Sequence, residues 1–135
     1  SALVLFARLC FGSLELLRKS LQRRGHRTLI YGAGDAGELV IRELRNNGAI
    51  GLLPVCILDD DRRKQGRQVH GVPVVGGSAQ LGDIVERHAI SRIVIATKKL
   101  SPDARLALRT ISTAREVQIV ELDIALNNVM PAELA

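Results

Sequence analysis

Gly32-Ala33-Gly34-Asp35-Ala36-Gly37 completes a GxGxxG pattern, and its neighbours decide what it means. A short apolar run over 28–31 leads into it. A stretch over 36–47 leads out, with Ala36, Val40, Ile41 and Leu44 on one helical face. The next apolar run, 53–58, closes on Asp59, about twenty residues past the loop. Strand, glycine turn, helix, strand and acid together make a βαβ unit with the pattern of a dinucleotide-binding fingerprint. Gly32 permits the tight turn, Gly34 lets the backbone approach a phosphate, and Gly37 lets the helix pack close on the strand. Amides at the start of the helix lack intrahelical partners, carry partial positive charge and can receive an anion.

The rest of the chain keeps the same alternation. Residues 62–71 are polar and irregular, and 72–75 read as a short strand whose Pro73 suits a sheet edge. A helix is predicted over 78–88, capped by Ser78 and turning Leu81, Ile84 and Val85 inward. A solid apolar strand follows over 92–96. Ser101, Pro102 and Asp103 supply N-cap, first-turn proline and early acid for a helix to about Ala114. The last strand falls at 117–120. Such an order predicts an α/β fold with a doubly wound parallel sheet, Rossmann-like, of about five strands in the order 3-2-1-4-5.

Before that unit the chain is different in kind. Residues 1–13 are apolar apart from Arg8, too short to cross a bilayer alone. Leu14, Leu17 and Leu21 then fall at helical spacing beside basic residues. Of the net charge of +5, the excess gathers in Arg18, Lys19, Arg23, Arg24, His26 and Arg27. An apolar tail running into arginines is the pattern of the cytoplasmic end of a transmembrane helix. An amphipathic helix packing on its own domain, or on a second copy in a homodimer, is the alternative. The chain begins without Met and reads as part of a larger protein. The expected divisions are therefore 1–26 as a membrane-proximal helix and basic linker, 27–122 as the nucleotide-binding domain, and 123–135 as a C-terminal tail.

Composition removes several function classes. With 47% hydrophobic and 24% charged residues in 135, the chain can fill a core. Phe6, Phe11 and Tyr31 are its aromatics, too few for the stacking platforms of single-stranded nucleic-acid binders, and no nucleic-acid partner is expected. Cys10 and Cys56 lack metal or redox spacing, which points to no zinc, no disulfide scaffold and a reducing compartment. His26, His70 and His88 are isolated, no GxSxG occurs, and Asp35 stands four places after Tyr31 where a dehydrogenase would carry lysine. No catalytic constellation is predicted, so this chain is expected to bind rather than to catalyse.

The carboxyl ends of the strands collect the candidate cofactor-binding residues. The loop offers Gly32, Ala33, Gly34, Asp35, Ala36 and Gly37, with Asp35 either turned away from a pyrophosphate or facing a less anionic part of the ligand. Asp59, with Asp60 beside it, would accept from a ribose hydroxyl and favour NAD over NADP. Arg62 and Arg63 could instead pair with a phosphate, as in NADP or coenzyme A sites. Asp60 and Asp61 also read as a cap-and-turn cluster, and no metal is expected there. Thr97 could donate to a ligand oxygen, and Lys98 could neutralise a phosphate or remain, with Lys99, a solvated charge.

Three segments carry a family resemblance: RTLIYGAGDAGELVIREL, VCILDDDRRKQGRQVHGVPVVGG and SRIVIATKK. Together, over about 27–122, they resemble the cytoplasmic Rossmann-like, CoA-binding-type domain of membrane-bound polysaccharide-biosynthesis enzymes. These are the nucleoside-diphosphate-sugar epimerases/4,6-dehydratases and, more distantly, the polyprenyl-phosphate sugar-phosphate transferases. The resemblance implies transmembrane helices before the domain and a place at the cytoplasmic face of the bacterial inner membrane. It implies a catalytic dehydrogenase-type domain after it, with its own nicotinamide cofactor. It also carries the phosphate loop onto Gly32, Gly34 and Gly37 and the acid onto Asp59. Thr97-Lys98-Lys99 departs from the small or Pro/Ser-containing segment usual in the family. A similar module in sugar acyltransferases holds a nucleotide-sugar, so a UDP-sugar stands beside NAD as a candidate ligand. The implied function is an accessory nucleotide- or nucleotide-sugar-binding domain of an epimerase/dehydratase. A ligand-free interaction or dimerisation module of the same enzyme, or of a sugar-phosphate transferase, is the alternative.

Overall fold

The computed structural model describes residues 25–122. The predicted N-terminal helix, with Leu14, Leu17, Leu21 and Cys10, and the tail from Asp123 lie outside the described residues. Strand β1 (His26–Tyr31) leads through the glycine loop into helix α1 (Asp35–Asn46). A 3-10 turn at Gly48–Ile50 returns the chain to β2 (Leu52–Leu58). Then come β3 (Gln68–Val69), β4 (Val72–Gly76), a 3-10 turn at Ser78–Gln80 and α2 (Leu81–Arg87). Strand β5 (Arg92–Ile95), α3 (Pro102–Ala114) and β6 (Gln118–Glu121) complete the order.

The sheet runs β3-β4-β2-β1-β5-β6 and is parallel except where β3 meets β4. Without β3, this is the predicted 3-2-1-4-5 order. The polar stretch before β4 hides that extra strand because only two residues pair, Gln68 with Pro73 and Val69 with Val72. His70 and Gly71 make the hairpin turn, both at positive φ (49° and 80°) as tight hairpins of right-handed twist require. Strand β4 is therefore not the outermost strand that Pro73 suggested.

Alternation along the strands sorts the core onto two faces. Leu29, Tyr31, Cys56, Leu58, Ile93 and Ile95 face α2 and α3, where Leu81, Ile84, Leu108 and Ile111 meet them. Ile30, Ile57 and Val94 face the other way, against Val40, Ile41 and Leu44 of α1. The β1–β2 register shifts between Thr28 and Leu29, beside Pro54, whose nitrogen has no proton to give the ladder. Thr28 is fully buried and donates its hydroxyl proton to the His26 carbonyl at 2.7 Å, which satisfies it locally.

Helix ends follow their chemistry with one exception. The Ser101 hydroxyl accepts from the Ala104 amide at 3.1 Å, as the Ser-Pro-Asp start predicts. Ser78 does not cap α2 with its side chain. A turn of 3-10 helix intervenes, and the Ser78 amide instead gives its proton to Asp60 at 2.7 Å.

Candidate glycine-loop site

Chain order places the switch of winding direction between β1 and β5, where open α/β sheets bind ligands. Gly32 lies there at φ +121°, and a Cβ on it would stand 2.8 Å from the Ala96 carbonyl oxygen. Its amide donates to the Leu58 carbonyl at 2.8 Å, tying the loop to the end of β2. A Cβ on Gly37 would overlap the Gly32 carbonyl oxygen, so the first turn of α1 rests directly on the strand end. Gly34 is different. As the N-cap of α1 it has extended backbone, and among the described residues a Cβ there would meet only the Lys64 ammonium, at 3.8 Å. Among the described residues no side chain caps this helix. The amides of its first turn therefore have no capping side chain, beside an open glycine.

Asp35 is exposed, and Ala36 is half-buried against the α1-side core. Asp59 is the side chain that reaches the loop. One carboxylate oxygen accepts from the Ala33 amide at 2.8 Å and the other from the Asp61 amide at 2.8 Å. Lys64 forms a loose pair with Asp59, Nζ to Oδ2 at 3.9 Å. Lys64 is thus a member of this site that sequence reasoning missed. It sits in a polar stretch without periodicity, and its place becomes visible only when the 62–67 turn folds back over Gly34.

Asp60 faces away from the loop. Its carboxylate accepts from the Tyr31 hydroxyl and from the Ser78 amide, joining the ends of β1 and β4. Burial would raise the Asp60 carboxyl, but the Ser78 amide and Tyr31 hydroxyl outweigh it and hold it below its ordinary value. Burial, then the Asp60 hydrogen bond, push the Tyr31 phenol well above its own. Asp61 is held below its ordinary value by the hydrogen-bonding Arg63 guanidinium, whose nitrogens stand 3.2 and 3.1 Å from its oxygens. Gln65 donates to the Asp59 carbonyl at 2.9 Å, so the acidic turn is fixed from both sides.

Arg62 and Lys98 are exposed, and Thr97 is half-buried. Thr97 lies alongside Gly32, its Cβ 3.1 Å from where a Gly32 Cβ would be. The Thr97 hydroxyl accepts from the Lys99 amide at 3.1 Å, which closes the turn after β5. The structure therefore brings the loop, Asp59, Lys64 and Thr97 together and turns Asp60 to a structural task. Two shallow grooves, of about 350 and 430 Å³, flank α3 and do not include the glycine loop. Among the described residues no cluster of His, Cys, Asp and Glu could hold a metal ion.

The geometry is that of a Rossmann-like module, and comparison with known proteins places it in a family. A family profile described as the CoA-binding domain matches residues 1–125. The chain belongs to this CoA-binding domain family. Two curated relatives are similar to the chain at the sequence level. One is the probable polysaccharide biosynthesis protein EpsC of Bacillus subtilis, 33% identical over 89 residues, 64% of this chain and 15% of EpsC. The other is the capsular polysaccharide biosynthesis protein CapD of Staphylococcus aureus, 29% identical over 96 residues, 70% of this chain and 16% of CapD. The CoA-binding domain thus spans about one sixth of these relatives' length. Among solved structures, UDP-D-quinovosamine 4-dehydrogenase from Vibrio fischeri superimposes with a TM-score of 0.60 at 24% identity, covering 76% of this chain and 84% of that one. RSP, a Rex-family repressor, gives 0.60 at 16% identity over 84% of this chain and 60% of its own. At these identities both likenesses establish the fold.

Proposed function

We propose that this CoA-binding domain is the nucleotide- or nucleotide-sugar-binding accessory domain of a bacterial polysaccharide-biosynthesis enzyme of the epimerase/dehydratase kind. One observation carries the reading. The N-terminus of α1 has no side-chain cap beside Gly34, whose open face meets, among the described residues, only a lysine ammonium. Backbone donors, helix dipole and a flexible cation converge on one spot, which suits the diphosphate common to UDP-sugars, NAD and coenzyme A. EpsC and CapD, both named for polysaccharide biosynthesis, favour the nucleotide-sugar among these. Tyr31, the chain's one tyrosine, is buried and committed to Asp60, which supports a binding task over hydride chemistry.

The apolar stretch over 1–13 and the arginines after it fit a parent protein held at the cytoplasmic face of the inner membrane. No helix among the described residues is long and apolar enough to cross a membrane. Calorimetric titration with a UDP-sugar, NAD⁺, NADP⁺ and coenzyme A tests the binding claim. Saturable heat with the UDP-sugar, at one site per chain, is the expected result. Absence of heat with all four removes the function.

A further inference from the structure

The head of the glycine loop already holds an anion, and it belongs to the protein. Asp59 accepts the Ala33 amide proton at 2.8 Å while its other oxygen takes the Asp61 amide. Its side chain is only 15% exposed, so this is an anchored carboxylate. A phosphate drawn to the same loop would meet that fixed negative charge at close range, where the repulsion is strong. Lys64 occupies the point between them, 3.9 Å from Asp59 Oδ2 and 3.8 Å from the Cβ position of Gly34. Its ammonium rides on a flexible stem, 41% exposed, and can exchange one oxyanion for another without moving the backbone.

We infer that Asp59 is the resident anion of the loop, that it competes with the ligand's phosphate for the Ala33 amide, and that Lys64 passes from Asp59 to that phosphate on binding. The inference rests on the phosphate-bearing ligand proposed above and gives Asp59 a task other than accepting from a ribose hydroxyl. It also sets a selectivity: a ligand must carry enough negative charge at this point to displace a carboxylate. A neutral ribose edge would leave Asp59 where it is.

The two tasks for Asp59 predict opposite signs. Asp59→Asn keeps an oxygen acceptor for the fold but removes the competing charge. Inorganic pyrophosphate and UDP, titrated calorimetrically, are expected to bind this variant about tenfold more tightly than wild type. Lys64→Met, which keeps the apolar stem, is expected to bind them about tenfold more weakly. Unchanged or weaker binding by Asp59→Asn overturns the inference and leaves the proposed function standing. If no form binds either probe or a UDP-sugar, the function and the inference fall together. Should Asp59→Asn not fold, wild-type protein decides by NMR. The Asp59 carboxyl carbon resonance must shift when pyrophosphate is added, and an unmoved resonance in the bound state contradicts the exchange.

Discussion

Gly37 lies so close beneath the carbonyl oxygen of Gly32 that a single methyl group between them has no space. This contact sets the start of α1 against the end of β1, and so sets where the helix's free amides point. It also separates two glycines that look alike in the sequence. Gly37 meets backbone, which cannot move aside, whereas among the described residues Gly34 meets only the tip of Lys64.

Gly37→Ala is therefore expected to destabilise the fold by at least about 2–3 kcal/mol, the cost of forcing backbone apart in a packed interior. Gly34→Val, whose side chain would meet only the Lys64 ammonium among the described residues, is expected to cost no more than about 1 kcal/mol, the loss of a glycine N-cap. Urea denaturation of the two variants checks the contrast. Equal losses would mean that Gly34 too is a packing glycine.

Tyr31 gives a spectroscopic prediction free of interference, because the chain has no other tyrosine and no tryptophan. Its folded phenol is raised above the ordinary 10.0 by burial and by the Asp60 hydrogen bond. The stability this represents is present below 10.0 and is lost as pH rises through the raised folded value. Phenolate absorbance should stay flat through the pH at which free tyrosine ionises, then rise together with loss of helical circular dichroism. Ionisation near 10 in a folded protein would contradict the buried hydrogen bond.

Asp60 bears on the acid side. Its folded carboxyl lies below the ordinary 3.8, so its stabilising effect is complete above that value and fades as pH falls through the lowered one. Asp60→Asn should lower stability near neutral pH, since Asn answers the Ser78 amide and the Tyr31 hydroxyl less strongly. The difference from wild type should shrink as pH falls below 3.8 and through the lowered folded value. Urea midpoints measured across that range provide the test.

Cys56 is fully buried in the face that packs on α2 and α3, and burial pushes its thiol up to about 11. Nearby Arg27 offsets this only in part. Alkylation at neutral pH should leave Cys56 untouched in the folded protein and modify it in urea, read by peptide mass mapping. Labelling of the folded chain at a rate like that of a free thiol would deny that placement.

The sheet order was legible because each strand is a short apolar run separated from the next by a loop or by a helix with a one-sided stripe, and right-handed crossovers leave few windings for that alternation, 3-2-1-4-5 among them. Val40, Ile41 and Leu44 fall where their spacing puts them, and Ser101 caps as its Pro-Asp neighbours suggest. What stayed hidden depends on contacts distant in sequence. Strand β3 exists because β4 offers it an edge, not because Gln68 and Val69 form a pattern. Ser78 reads as a cap, yet Asp60, from the end of β2, claims its amide. Asp59 stands where an acid is expected in such a fold. The direction of its carboxylate, towards Ala33 twenty-six places earlier, follows from the close approach of two loops that no local signal encodes.

The central claim is that a phosphate-bearing ligand sits on the amides of Ala33 to Gly37. Amide NMR spectra recorded while a UDP-sugar is titrated into the protein test this most directly. The account predicts the largest shifts at Ala33 through Gly37 and at Lys64, with the α3 grooves around Leu106 and Arg109 unchanged. Shifts centred on those grooves, or a spectrum that does not change at saturating ligand, would contradict it.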